Sequence, residues 1–80
     1  MTISDKKYTS LSHSPKHQPL TIQKLSPNTL KHLNKLGIDI GSIIYRVGTS
    51  IDSNTLLLAH DNILFYLSKV ECNNIEVCYE

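Results

Sequence analysis

The 80-residue chain has no tryptophan, one phenylalanine, three glycines, three prolines and two cysteines. It has no apolar run near the ~18 residues that a membrane-spanning helix needs. Its first ten residues lack the apolar segment of a secretory signal peptide, so we expect a soluble, cytoplasmic protein. A chain this short forms one domain at most and buries only about 60% of its unfolded surface. Separate cofactor and substrate domains are therefore excluded.

The chain also has no large excess of charge of one sign, because it contains eight Lys and Arg and seven Asp and Glu. Nucleic acids and anionic membranes attract strongly basic surfaces. We therefore expect no nucleic-acid partner, and membrane association only through a protein partner. The content of 40% hydrophobic and 19% charged residues is typical of a globular chain.

The potential metal ligands are few and scattered. Cys72 and Cys78 are spaced C-x5-C, which fits no zinc or redox motif. A disulfide between them is conceivable in a secreted protein, but the missing export signal favours reduced thiols. A tight metal site needs three or four convergent ligands. We expect no metal site and no cofactor, and interpret the other candidates as surface residues: His13, His17, His32, His60 and Asp61.

Motifs of enzymes are missing as well. The sequence has no phosphate-binding loop, no nucleophile elbow and no zinc-protease helix. Arg46 is the only arginine, and its place in a predicted strand is a poor one for an arginine finger. These absences predict a non-enzymatic protein.

The N-terminal segment, residues 1–18, is polar and is expected to be flexible, although Leu11 could anchor a turn. The domain is expected to span residues 19–80. It opens with alternating apolar and polar residues over 19–25, which predict a strand. Ser26 is a favoured N-cap, and leucines recur every three residues up to Gly37, so a helix is predicted over residues 27–36.

The remainder predicts three further strands over residues 42–47, 55–59 and 63–67, a helical turn and a last strand over 75–79. Ser68 and Glu71 form the capping box that predicts this turn. About five strands around a small core suggest a closed or nearly closed β-barrel, with one short helix between the first two strands.

The segment from Leu30 to Ser42, with Leu33, Leu36-Gly37-Ile38 and Gly41-Ser42, resembles the "R-L-x-x-L-G-h-x-p-G-s" signature of FeoA proteins. The order of the later strands resembles that family as far as Glu80. The resemblance implies an SH3-like barrel. It further implies a small cytosolic protein of bacterial ferrous iron transport that acts by contact with the FeoB GTPase permease.

The chain departs from the family pattern in three places. Ile40 stands where the signature has proline, and the early basic residue is offset to Lys31. The usual "P-L-G-D-P" loop is replaced by residues 49–55, which contain neither proline nor the central glycine. An alternative is a barrel with another protein or nucleic-acid partner. The C-terminal domain of DtxR-type repressors has the same barrel, although we expect no DNA-binding helix-turn-helix here.

Protein binding is the remaining function, and loops and corners are its usual place in a small barrel. Ile38 and Ile40 either contact a partner or seal the end of the barrel. The candidate partner-binding residues lie at the corner between helix and strand and in the following loop: Lys31, Lys35, Ile38, Asp39, Ile40, Ile51 and Asp52.

Overall fold

The computed structural model describes residues 5–80, and the expectations for residues 1–4 lie outside this range. The described residues form six strands, two short α-helices and one 3-10 turn. In chain order they are β1 Lys7–Ser10, the 3-10 turn Leu11–His13, β2 Leu20–Lys24, α1 Pro27–Asn34, β3 Ile43–Thr49, β4 Thr55–His60, β5 Ile63–Ser68, α2 Lys69–Asn73 and β6 Glu76–Tyr79.

The strands form one antiparallel sheet in the order β1-β6-β2-β3-β4-β5. The sheet turns at β3, whose first residues pair with β2 (Ile44 opposite Leu20) and whose later residues pair with β4 (Tyr45 opposite Ala59). A bulge between Arg46 and Gly48 accentuates the bend. The mainly β fold with two short helices is confirmed.

The prediction of about five strands in a closed or nearly closed barrel needs correction, because the sheet has six strands and is not closed. The described residues contain a sixth strand, β1, and no pairing joins β1 to β5. β6 pairs with β2 on one side and with β1 on the other. β1 and β5 are therefore the two edge strands, and the sheet is open between them.

The N-terminal segment is part of the fold from Lys7 onward, so the expected start at residue 19 is too late. β1 pairs with β6 over four residues, from Lys7 opposite Tyr79 to Ser10 opposite Glu76. Leu11 is fully buried in the core, and its N–H donates to the Ile75 carbonyl at 2.8 Å. The expected anchoring by Leu11 is thereby confirmed.

Arg46 ties this segment to β3. Its Nη1 donates to the carbonyls of Ser12 at 3.1 Å and Ser14 at 2.8 Å. The Arg46 carbonyl in turn accepts from the His17 N–H at 3.0 Å. Ser12 Oγ also donates to Asn73 Oδ1 in α2. One guanidinium therefore joins the chain segment before β2 to the middle of the sheet.

α1 begins as predicted, with Ser26 Oγ accepting the Thr29 N–H at 3.3 Å and Pro27 in the first turn. It ends at Asn34, two residues earlier than predicted. The following turn is tighter, because the Leu36 N–H bonds the Leu33 carbonyl three residues back. Gly37 then adopts a φ of +79°, the left-handed conformation that ends the helix.

α2 likewise confirms its predicted cap, since Ser68 Oγ accepts the Glu71 N–H at 3.2 Å. Cys72 in this helix is fully buried and its thiol is free. Burial raises the pKa of the Cys72 thiol to about 12, and the nearby Glu71 carboxylate adds to the rise while Arg46 opposes it. Cys78 is also free and buried.

The hydrophobic core is a single cluster of buried side chains. It consists of Leu11, Leu20, Ile22, Leu33, Ile38, Ile44, Leu56, Leu58, Phe65, Leu67, Cys72, Ile75 and Val77.

Leu11→Ala tests whether the N-terminal segment belongs to the core. We expect a loss of about 2–5 kcal/mol in the free energy of unfolding, as for other buried leucines. Urea denaturation at low protein concentration measures it. Leu64→Ala is the matched control, because Leu64 is 64% exposed and should change the free energy by less than about 0.5 kcal/mol. Equal losses in both variants would contradict a core role for Leu11.

Cys72→Ala tests the burial of the thiol through pH. The folded thiol has a pKa of about 12 and the unfolded thiol one near 9.0, so the unfolded state loses its proton first as the pH rises. The raised pKa therefore contributes stability below pH 9 that is lost between pH 9 and 12. Denaturation at pH 8 to 11 should show wild-type stability falling more steeply than that of Cys72→Ala. Parallel curves would contradict this assignment.

Candidate partner-binding surface

The corner between α1 and β3, residues 38–42, is a rigid turn. The Asp39 N–H donates to Ser42 Oγ and the Ser42 N–H to the Asp39 carbonyl, both at 3.0 Å. The Ile40 N–H donates to Asp39 Oδ1 at 2.7 Å. Gly41 has a φ of +92°, and its N–H bonds the Ile22 carbonyl of β2 at 2.8 Å. The corner is thus held to the sheet before any partner arrives.

The structure separates the two isoleucines that the sequence left undecided. Ile38 is fully buried and packs in the core, so it is removed from the candidate surface. Ile40 is 54% exposed at the tip of the turn. Lys31 on α1, Lys35 just after α1 and Asp39 on the turn are also exposed. The corner therefore offers one apolar side chain among charges of both signs.

The loop 50–54 is braced by its own side chains. Asp52 Oδ1 accepts from Ser50 Oγ at 2.6 Å and from the Asn54 N–H at 3.1 Å. The hydrogen bond from Ser50, the largest cause, lowers the pKa of Asp52. Thr55 and Ser50 close the loop through a backbone bond of 2.8 Å. Ile51 lies at its tip and is fully exposed.

The corner and the loop do not form one compact patch. They lie at opposite ends of β3, whose seven residues span about 20 Å. A partner that contacts both Ile40 and Ile51 must extend along the whole strand. The predicted strand over residues 42–47 already separated the two, and the structure extends this strand to Thr49.

A third exposed surface was missed by the sequence analysis. The outer faces of β3, β4 and β5 align Tyr45, Ala59 and Leu64 in one row and Leu57 with Tyr66 in the next. Tyr45 is 40% exposed and Tyr66 65% exposed. Phe65, which lies between outward-facing Leu64 and Tyr66 in β5, is buried. The available signal was the run of three apolar residues, Leu64, Phe65 and Tyr66, because a strand points neighbouring side chains to opposite faces. We call Ile43, Tyr45, Leu57, Ala59, Leu64 and Tyr66 the β3–β5 outer face.

The candidate metal ligands remain largely apart. His60 and Asp61 are adjacent, with Nε2 and Oδ2 3.6 Å apart, and His60 Nδ1 bonds the Ile43 carbonyl at 3.0 Å. His13 Nδ1 lies 2.8 Å from Ser10 Oγ. His17 and His32 are exposed at other places. Within residues 5–80 no three His, Cys, Asp or Glu side chains converge on one point.

An open cavity of about 450 Å³ lies on the outside of β6, β2 and β3. It is lined in part by Thr21, Gln23, Ile43 and Cys78. Gln23 Nε2 donates a hydrogen bond to Cys78 Sγ at 3.0 Å.

None of the helices that the structure describes is long and apolar enough to cross a membrane.

No protein-family model and no curated protein matches the chain. Solved structures do match it. The FeoA protein from Chlorobium tepidum superposes with a TM-score of 0.79 at 15% identity, over 89% of this chain and 70% of that one. Iron(II) transport protein A from Clostridium thermocellum gives 0.76 at 25% identity, over 89% of this chain and 45% of that one.

A manganese-dependent transcriptional repressor also superposes, with a TM-score of 0.77 and 16% identity over 98% of this chain. The chain spans 45% of that repressor, and so less than half of it. The same architecture therefore occurs both in FeoA proteins and in part of a metal-dependent repressor. The fold of residues 5–80 is the SH3-like fold of FeoA proteins.

Proposed function

We propose that this chain is a non-enzymatic, cytoplasmic accessory protein of ferrous iron uptake that contacts a FeoB-type GTPase permease at the membrane. The FeoA fold over 89% of the chain is the observation that carries this proposal. The sequence resemblance over residues 30–42 also supports it, because it covers the helix and turn that lead to the corner.

The corner is the contact that we favour. Ile40 is exposed on a turn that four hydrogen bonds fix in place. Binding to a fixed turn orders few groups and therefore costs little entropy. Lys35 and Asp39 would form the polar rim that surrounds an apolar anchor in protein interfaces. Ile51 and Asp52 stay part of the proposal only as a second contact at the far end of β3.

A repressor-like or nucleic-acid-binding role is the second candidate, favoured by the match to the manganese-dependent repressor. Exposed Tyr45 and Tyr66 could stack on bases. Electrostatics argues against nucleic acid, since Arg46 is the only Lys or Arg in β3, β4 and β5 and its guanidinium is bonded to Ser12 and Ser14. A salt-sensitive shift of labelled single-stranded DNA or RNA on adding the protein would favour this second role.

The first experiment is a pull-down of the chain against the full-length permease and its cytosolic GTPase domain from the same organism, with GTP hydrolysis followed in parallel. Binding with altered hydrolysis supports a regulator, and binding without it supports an assembly role. Absence of binding to both forms contradicts the proposed function.

Ile40→Asp should weaken this binding by at least about tenfold, because it places a charge at the centre of the proposed contact. Lys35→Glu should weaken it less, as a change at the rim. Ile51→Asp is the matched variant, since it makes the same substitution at an exposed isoleucine at the other end of β3. Titration of each folded variant against the permease measures the affinities.

Retention of full affinity by Ile40→Asp would exclude the corner. Equal losses for Ile40→Asp and Ile51→Asp would mean that the partner spans β3. A circular dichroism spectrum and melting curve like those of the wild type establish that each variant is folded.

A further inference from the structure

β5 is an edge strand without the protection that edges usually carry. Its six residues, Ile63–Ser68, contain no charge and no proline. They pair with β4 in an unbroken register, without a bulge. Proteins normally guard an edge of this kind with charge, proline or a bulge, because its free backbone groups template pairing with another strand. The opposite edge, β1, is shorter and carries Lys7.

The side chains beside this edge are apolar and exposed. Leu64 is 64% and Tyr66 65% exposed, both on the β3–β5 outer face. The two residues of β3, β4 and β5 that can carry a positive charge are Arg46 and His60. Arg46 is bonded to Ser12 and Ser14, and His60 to the Ile43 carbonyl. No charge of either sign would therefore be buried if this surface were covered.

We propose that two copies of this chain associate through β5, which pairs antiparallel with β5 of the second copy about a two-fold axis. In such an isologous contact the same surface of both copies meets. Any charge on that surface would therefore lie close to the same charge of the second copy and be repelled by it. The uncharged edge and face avoid this repulsion. Pairing of the edges also satisfies the backbone groups that β5 leaves free.

The pleat of the strands restricts the register. Residues directly opposite each other in a ladder point to the same face, so outward Leu64 and Tyr66 must meet outward residues. Centring the axis on Phe65 places Leu64 opposite Tyr66 of the second copy and Phe65 opposite its own counterpart. This register forms two aliphatic–aromatic pairs outside and keeps Phe65 and Leu67 on the core side.

The size of the surface predicts a weak dimer. Since one aromatic side chain covers about 150–250 Å², the exposed parts of Tyr66, Leu64 and Ile63 offer roughly 300 Å² per copy. Tyr45 lies on β3, two strands from the edge, and stays outside the contact. Two copies would then bury about 600 Å², which is in the range of weak, transient contacts. The association should be reversible and concentration-dependent.

Sedimentation equilibrium tests the proposal. The mean mass of the wild type should rise from one chain toward two between about 10 µM and about 1 mM. Leu64→Lys and Tyr66→Lys should remain monomeric over this range, because each places a charge on the edge strand. Ile51→Lys, the same change at an exposed apolar residue of the loop 50–54, should dimerise like the wild type. A monomeric wild type at 1 mM, dimers in both β5 variants, or loss of the dimer in Ile51→Lys would overturn the proposal.

A disulfide test addresses the register independently. Opposite residues of an antiparallel pair have Cα atoms about 4.5–5.5 Å apart, within the range that a disulfide spans. Leu64→Cys combined with Tyr66→Cys should form a cross-linked dimer under mild oxidation, and Leu64→Cys alone should form far less. Equal cross-linking of both proteins, or none in the double variant, would overturn it. A chain that stays monomeric but whose β5 amide signals shift on adding the permease would show that the edge takes a foreign strand instead.

Discussion

The burial of Leu11 beside Ile75, just before the start of β6, is the contact on which the rest of the domain depends. An 80-residue chain has a small core, so each large buried side chain is a sizeable part of it. Leu11 is held there from two directions, by its own N–H on the Ile75 carbonyl and by Arg46, which binds the carbonyls just after it. The N-terminal segment is therefore an integral part of the hydrophobic core, which it covers on one side. Removing it would expose Ile75 and Cys72, both of which are now fully buried.

The N-terminal segment forms one end of the sheet. The chain that leads to Leu11 runs as β1 along β6, so β1 is the edge strand on that side. β5 is the edge strand on the other side, and its sequence is uncharged. The corner at residues 38–42 is independent of this edge, because it is fixed to β2.

Local chemistry in the sequence was sufficient to predict the helices. The two N-caps, Ser26 and Ser68, accept the expected backbone hydrogen bonds, and Gly37 adopts the expected left-handed conformation. These features were predictable because capping depends on residues only three or four apart. β1 could not be predicted in this way, because it is polar, short and paired with a strand some 70 residues later. The fate of Ile38 and Ile40 was equally beyond the sequence. Two isoleucines two positions apart look alike in the sequence, and the direction of the turn decides which of them enters the core.

The residues that carry the resemblance to FeoA proteins are explained by the turn itself. Gly37 and Gly41 adopt left-handed conformations that favour glycine, Leu33 and Ile38 are buried, and Ser42 bonds Asp39. Such a signature specifies how a helix returns to the sheet, so it predicts the fold more directly than the function. Evidence for a partner must come from exposed positions. Ile40 and the loop 50–54 are exposed, and at both the chain departs from the family pattern. Any contact that this protein makes through them will therefore differ in detail from the contact that the resemblance implies.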